Sequence, residues 1–199
     1  MMSKQDVQWA SDVLKSIGLT EQSVKSNISP IAPPPNESDS RIGRILIKHE
    51  GTGKAIREFD KNKKYLTDYA YWFYLSSCWV SYSGYSDLRL WRQLFSSSRP
   101  NRRLCIMKPQ EIVQLALLPD MLTIYRAKRD GEKDCIAYTL NPEIAANMAL
   151  QRNVNCVHQY SAKKEDVLAL FMRRGEEEVI ILDKSRVHLL SVIPVVVTD

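Results

Sequence analysis

The chain changes character at one place, Leu118-Pro119-Asp120, and that change limits its folds more than any other feature. Upstream, Tyr69, Trp72, Phe73, Leu75, Cys78 and Trp79 recur at three- and four-residue steps in an aromatic stretch, Lys64 to Phe95, that Gly84 interrupts. That period belongs to a buried helix, and further helical runs are predicted over Leu88–Phe95 and Pro109–Leu117. Downstream the apolar runs are short and rich in β-branched residues. Met121–Ala127, Cys135–Leu140, Asn155–Tyr160, Glu178–Asp183 and Val187–Val197 read as strands. Between the second and third of these, Asn141 is placed to cap a helix that begins at Pro142 and turns Ile144, Ala145, Met148 and Ala149 inward. The fold class read from this order is α+β, helices first and strands later, with no internal repeat.

Near the start, Val7, Ala10, Val13, Leu14 and Ile17 keep helical spacing up to Gly18, which suits a glycine-closed amphipathic helix. Pro30 to Ser40 holds four prolines among polar residues and reads as an extended linker. The expected organisation is therefore an N-terminal helical segment (1–29), a Pro-rich linker (30–40) and a domain (41–199) made of a helical lead-in (41–118) and a β-rich core (119–199).

With 199 residues, a core can be buried without covalent staples. Cys78, Cys105, Cys135 and Cys156 lack metal-ligand spacing, and His49, His158 and His188 do not cluster with them, so no metal site is expected. The first residues carry no apolar leader and the apolar run Tyr69–Val80 falls short of the ~20 residues that span a bilayer, so the expectation is a cytoplasmic chain without membrane contact. The balance of 28 basic against 23 acidic residues is compatible with a nucleic-acid or acidic partner, or simply with a solvated basic surface. Gly51-Thr52-Gly53-Lys54 resembles a phosphate loop only superficially: Lys48 and Ala55 stand where that loop needs a glycine and a hydroxyl residue.

Three strand-end motifs remain: Tyr125-Arg126-Ala127, Ala137-Tyr138-Thr139, and Glu176-Glu177-Glu178 ahead of Val179-Ile180-Ile181. Singly each has a bland reading. Arg126 suits a surface salt bridge, Tyr138-Thr139 a strand leading into an Asn-Pro helix start, and the glutamates a solvated run beside Arg173-Arg174. Together, in this order, they resemble the R-S-E class of ADP-ribosyltransferases, especially the short forms encoded by bacteriophages and prophages. Arg126 matches the arginine, Ala137-Tyr138-Thr139 the Ser-Thr-Ser or Ser-Trp-Thr strand end, and Glu176-x-Glu178 the Glu-x-Glu. The likeness covers Tyr125 to Asp183, and its clearest departure is Ala137 in place of the first serine.

The resemblance implies a helical N-terminal half packed on a split antiparallel β-sheet, with NAD in the cleft between the sheet halves. It implies transfer of ADP-ribose from NAD, without a metal, to a macromolecular acceptor such as a protein, and to a host protein if the chain is phage-encoded. Tyr125, Arg126, Ala127, Tyr138 and Thr139 would hold NAD, a guanidinium being well matched to phosphate oxygens. Glu178 would hold the ribose and stabilise the positive charge that develops on it, while Glu176 would orient or deprotonate the acceptor, a position associated with arginine acceptors. Strand alternation would set Glu176 and Glu178 on one face. The alternatives are NAD hydrolysis and a catalytically weak module that binds nucleic acid or an acidic partner.

Overall fold

The computed structural model describes residues 4–82, 84 and 87–195. Val196 and Val197 of the expected last strand, and the side chains of Val7 and Ala10 in the expected first helix, lie outside the described residues. The chain forms two compact units, residues 1–116 and 117–199.

The first unit is helical: α1 (Lys4–Ser16), α2 (Glu21–Ser26), α3 (Glu37–Ile47), α4 (Gly53–Asn62), α5 (Asp68–Ser81), α6 (Leu88–Phe95), α7 (Arg102–Ile106) and α8 (Pro109–Leu117). Helix α1 closes as its glycine predicts. Gly18 adopts φ +77°, its N–H reaches the Lys15 carbonyl, and the Leu19 N–H returns to Leu14, the paired bonds of a Schellman ending. The aromatic run of α5 supplies the core, where Trp72 and Leu75 are fully buried with Phe59 of α4 and with Trp91 and Phe95 of α6. Trp79 meets the Trp91 ring edge-on at 4.8 Å, and the Tyr71 hydroxyl donates to the Leu94 carbonyl at 2.8 Å.

The expected linker ends early, because α3 begins inside it. Asn36 accepts from the Asp39 N–H at 2.9 Å and donates back to the Asp39 carboxylate at 2.5 Å, a reciprocal cap that the preceding prolines mask in the sequence. Asp39 is buried, and it also accepts from the N–H and hydroxyl of Thr67, the residue that caps α5, at 3.0 and 2.6 Å. One carboxylate thus fixes the starts of two helices. At α4 the Gly51–Lys54 stretch is an ordinary helix start capped by the Thr52 hydroxyl.

The second unit is a six-stranded antiparallel sheet in the order β4-β5-β2-β1-β3-β6. Its strands are β1 (Met121–Arg126), β2 (Ala137–Thr139), β3 (Cys156–Lys163), β4 (Ala169–Phe171), β5 (Glu178–Ile180) and β6 (His188–Pro194). Helix α9 (Pro142–Gln151) follows β2, capped by Asn141 with Pro142 in its first turn. Its buried Ala145 and Ala149 pack with Ala127 and Val157 of the sheet, and Tyr125 and Met148 border that cluster. The ladders are unequal. Six residue pairs join β1 to β3, whereas β1 meets β2 through the single pair Tyr125↔Thr139.

Replacing Asp39 with Ala would strand the Thr67 N–H and hydroxyl. We expect a loss of roughly 2–4 kcal/mol of unfolding free energy, one to two buried hydrogen-bond penalties, read as a lower denaturant midpoint. An unchanged midpoint would contradict the role given to this carboxylate.

Candidate functional site

Register fixes which side chains share a face. Phe171, Glu178, Thr139, Tyr125, Gln159 and Ser191 are successive cross-strand partners and form one row across all six strands. The Ser191 hydroxyl bonds the Gln159 amide oxygen at 2.7 Å, as residues on a common face should. Tyr138 and Arg126, one residue along from Thr139 and Tyr125, belong to the opposite face. There the Tyr138 and Tyr160 rings meet at 5.6 Å, and His158 lies opposite Arg126. The three motifs converge on one end of the sheet but not on one surface: Tyr125, Thr139 and Glu178 lie on one side, Arg126 and Tyr138 on the other.

Arg126 occupies the place where β1 and β2 part. Ile136 and Leu140 use their backbone groups on the β5 side, through Ile181 N–H to Ile136 O and Leu140 N–H to Glu177 O. Alternation therefore turns the Ala137 carbonyl toward β1, opposite Ala127, where the ladder has already stopped. The Arg126 guanidinium takes that carbonyl at 2.7 Å in place of a backbone N–H. Its remaining edge grips Glu132 from the β1–β2 loop, Nε donating to Oε2 at 3.2 Å and Nη2 to Oε1. The two side chains keep only 16% and 19% of their exposure. Burial alone would lower the arginine pKa and raise that of the glutamate. The shared hydrogen bonds and charges reverse both, so Arg126 is held above its ordinary value and Glu132 below. Arg126 is thus engaged in an ion pair, largely withdrawn from water.

Thr139 is buried, and its hydroxyl is fully used, donating to the Glu176 carbonyl at 2.6 Å and accepting from the Asn141 N–H at 3.1 Å. With the Leu140 N–H on the Glu177 carbonyl, and Asn141 Nδ2 donating to the Glu177 carboxylate at 3.4 Å, it ties the end of β2 to the glutamate run. That run does not open a strand as expected. Glu177 turns into the left-handed region at φ +46°, β5 starts only at Glu178, and the alternation that would have aligned Glu176 with Glu178 does not apply. A left-handed glutamate is costly, and the three bonds from β2 hold it there. The Glu176 carboxylate pairs with Arg174 at 2.5 Å, and Glu178 is half-buried at the head of β5. Ala127 belongs to the α9 core, and Tyr138 is buried against Cys135 and Tyr160. Burial, then Cys135, raises the Tyr138 hydroxyl pKa well above its usual range.

Two neighbours were not anticipated. Arg152, just past the end of α9, donates to the Ala127 carbonyl at 2.8 Å. Burial lowers its pKa, the positive charges of Arg126 and Arg129 lower it further, and Glu132 and Glu176 pull it back, which sets it in the field of both the arginine and glutamate motifs. In sequence it is one more cation at a helix end. His158, opposite Arg126 on β3, has a buried Nδ1 without a protein partner, and burial followed by the Lys128 charge lowers its pKa. Chemically, this end of the sheet combines guanidinium groups suited to an anion with carboxylates suited to a developing cation.

Comparison with family models, curated proteins and solved structures returns no match for this chain. Among the described residues, no helix is long and apolar enough to cross a membrane, and no group of three His, Cys, Asp or Glu side chains is placed to hold a metal. The four cysteines are free thiols.

Two measurements follow from these contacts. Because the folded pKa of Glu132 is depressed, its contribution to stability is complete above the ordinary glutamate range and is lost as pH falls through the folded value. The unfolding free-energy difference between wild type and Glu132→Gln should be constant near neutral pH and shrink below about pH 4. Thr139→Val should cost roughly 1–3 kcal/mol and Thr139→Ser much less; equal melting temperatures for the two variants would deny the hydroxyl its bracing role.

Proposed function

We propose that the chain is an NAD-dependent mono-ADP-ribosyltransferase acting on a macromolecular acceptor, in keeping with its resemblance to the R-S-E class. The observation that carries this reading is the seam between β2 and β1. The sheet is nearly divided there by a single pair, with Arg126 and Arg152 at its margin and the glutamate run tied to β2 beside it. In this reading NAD passes through the sheet edge at the seam, its pyrophosphate toward Arg126 on one face and its ribose toward Glu178 on the other, one strand over.

In this reading the C1′–N bond of NAD breaks and its electron pair leaves with nicotinamide. The ribose then carries positive charge, which the Glu178 carboxylate stabilises while accepting a hydrogen bond from the 2′-hydroxyl. The acceptor attacks C1′, and Glu176 takes its proton. Thr139, whose hydroxyl donates to the Glu176 carbonyl, braces the glutamates. The hydroxyl that the family places at Ala137 is missing here, and the Ala137 carbonyl is held by Arg126.

NAD labelled in its adenylate part, incubated with the full chain and a cell lysate, should transfer label to macromolecules, and Glu178→Gln should reduce the rate by roughly a hundredfold or more. Equal labelling by the variant would remove the assignment. Nicotinamide release without labelled macromolecules would select hydrolysis, and salt-sensitive nucleic-acid binding without NAD turnover would select a binding module.

A further inference from the structure

The carboxylate of Glu132 sits as a bound anion would. Arg126 offers it both edges of a fork, Nε and Nη2, and the Arg129 backbone N–H adds a third donor at 3.3 Å on the same oxygen that Nε reaches. A phosphate presents two oxygens to a guanidinium in the same planar, bidentate way. Arg152 is close by in the fold, bonded to the Ala127 carbonyl one residue beyond Arg126.

Glu132 is delivered by the β1–β2 connection and not by the ladder that holds Arg126. Between β1 and β2 the chain forms no helix or strand, and Glu132 is carried on a turn closed by its own N–H on the Arg129 carbonyl at 3.0 Å. Gly131, at φ +74°, has open space where a Cβ would lie, and just beyond Glu132 the Lys133 carbonyl accepts from Lys184 Nζ at 2.7 Å. The arginine, by contrast, stands at the end of a strand with six cross-strand pairs and is pinned to the Ala137 carbonyl. A cation anchored at the end of a strand faces a carboxylate carried outside the ladder, an arrangement in which the carboxylate is the partner to give way.

We propose that Glu132 is an internal occupant of a phosphate-binding site formed by the Arg126 guanidinium and the Arg129 backbone N–H, and that a phosphate-bearing ligand binds by displacing it. The inference deepens the transferase reading and rests on it for the identity of the ligand, NAD, whose pyrophosphate would take the place of the carboxylate. Binding then carries a built-in penalty, the loss of the Arg126–Glu132 pair. Removing the carboxylate should tighten binding, whereas a Glu132 that merely positions Arg126 for the ligand should weaken binding when lost.

The opposite signs make the test direct. Titration calorimetry of the full chain with inorganic pyrophosphate should give Glu132→Gln an affinity at least roughly tenfold above wild type, a gain suppressed by salt and abolished by adding Arg126→Lys. Glu132→Asp keeps the charge but draws it back by one methylene. It should show a smaller gain, and it decides the matter if the Gln variant does not fold. Equal or weaker pyrophosphate binding by the folded variant overturns the proposal. Tighter pyrophosphate binding without NAD turnover would uphold the displaced carboxylate and remove the transferase reading. NAD turnover by wild type with a higher KM in Glu132→Gln would do the reverse and make Glu132 a positioning residue.

Discussion

A carbonyl that has lost its ladder partner organises the end of this sheet. Where β1 and β2 part, the Ala137 oxygen would be buried without a donor, at a cost of roughly 1–3 kcal/mol, unless a side chain supplied one. Arg126 supplies it, and in doing so brings a positive charge into a poorly solvated position that Glu132 must neutralise. The course of the β1–β2 loop follows from that requirement. So does the shortness of the β1–β2 ladder within the six-stranded sheet, because the guanidinium lies where a further backbone pair would have formed. The contact is structural and electrostatic at once, which is why the bland reading of Arg126 as a salt-bridge residue and the reading of it as an anion-binding residue describe the same side chain.

On the other side of β2 the tie is neutral. Thr139 and Asn141 hold a backbone turn that a glutamate would not adopt unaided, and the carboxylates of Glu176 and Glu178 take their places from that turn. Both glutamates therefore depend on residues that never need to meet a ligand. The glutamates are held by side chain to backbone bonds beside the short β2–β5 ladder, and Arg126 by the six-pair β1–β3 ladder.

Much of the architecture could be read from the residues because local signals agreed with tertiary demand. Leu88–Phe95 and Pro109–Leu117 are helices with the expected bounds, Asn141-Pro142 starts α9, and the α+β order holds. Where reading failed, the cause was physical. Helix α3 begins within a proline-rich stretch because Asn36 and Asp39 cap each other and Asp39 bonds Thr67, a contact 28 residues away that no local window contains. Strand β4 is three residues, buried throughout, and too short to present a period. At the site, the order of the motifs was legible but not their faces, since the face of a strand residue depends on register, and Glu176 left the expected strand through a single left-handed residue. Arg152 gave no signal because its meaning comes from the Ala127 carbonyl and from charges on other elements.

The lone pair Tyr125↔Thr139 has a mechanical consequence. Backbone pairing joins β1 to β2 at that one place, and the Arg126 guanidinium on the Ala137 carbonyl adds a side-chain tie beside it. The joint between these strands thus leans on a charged side chain that also carries an ion pair, so a change at the Arg126–Glu132 contact reaches the backbone on both sides of the seam.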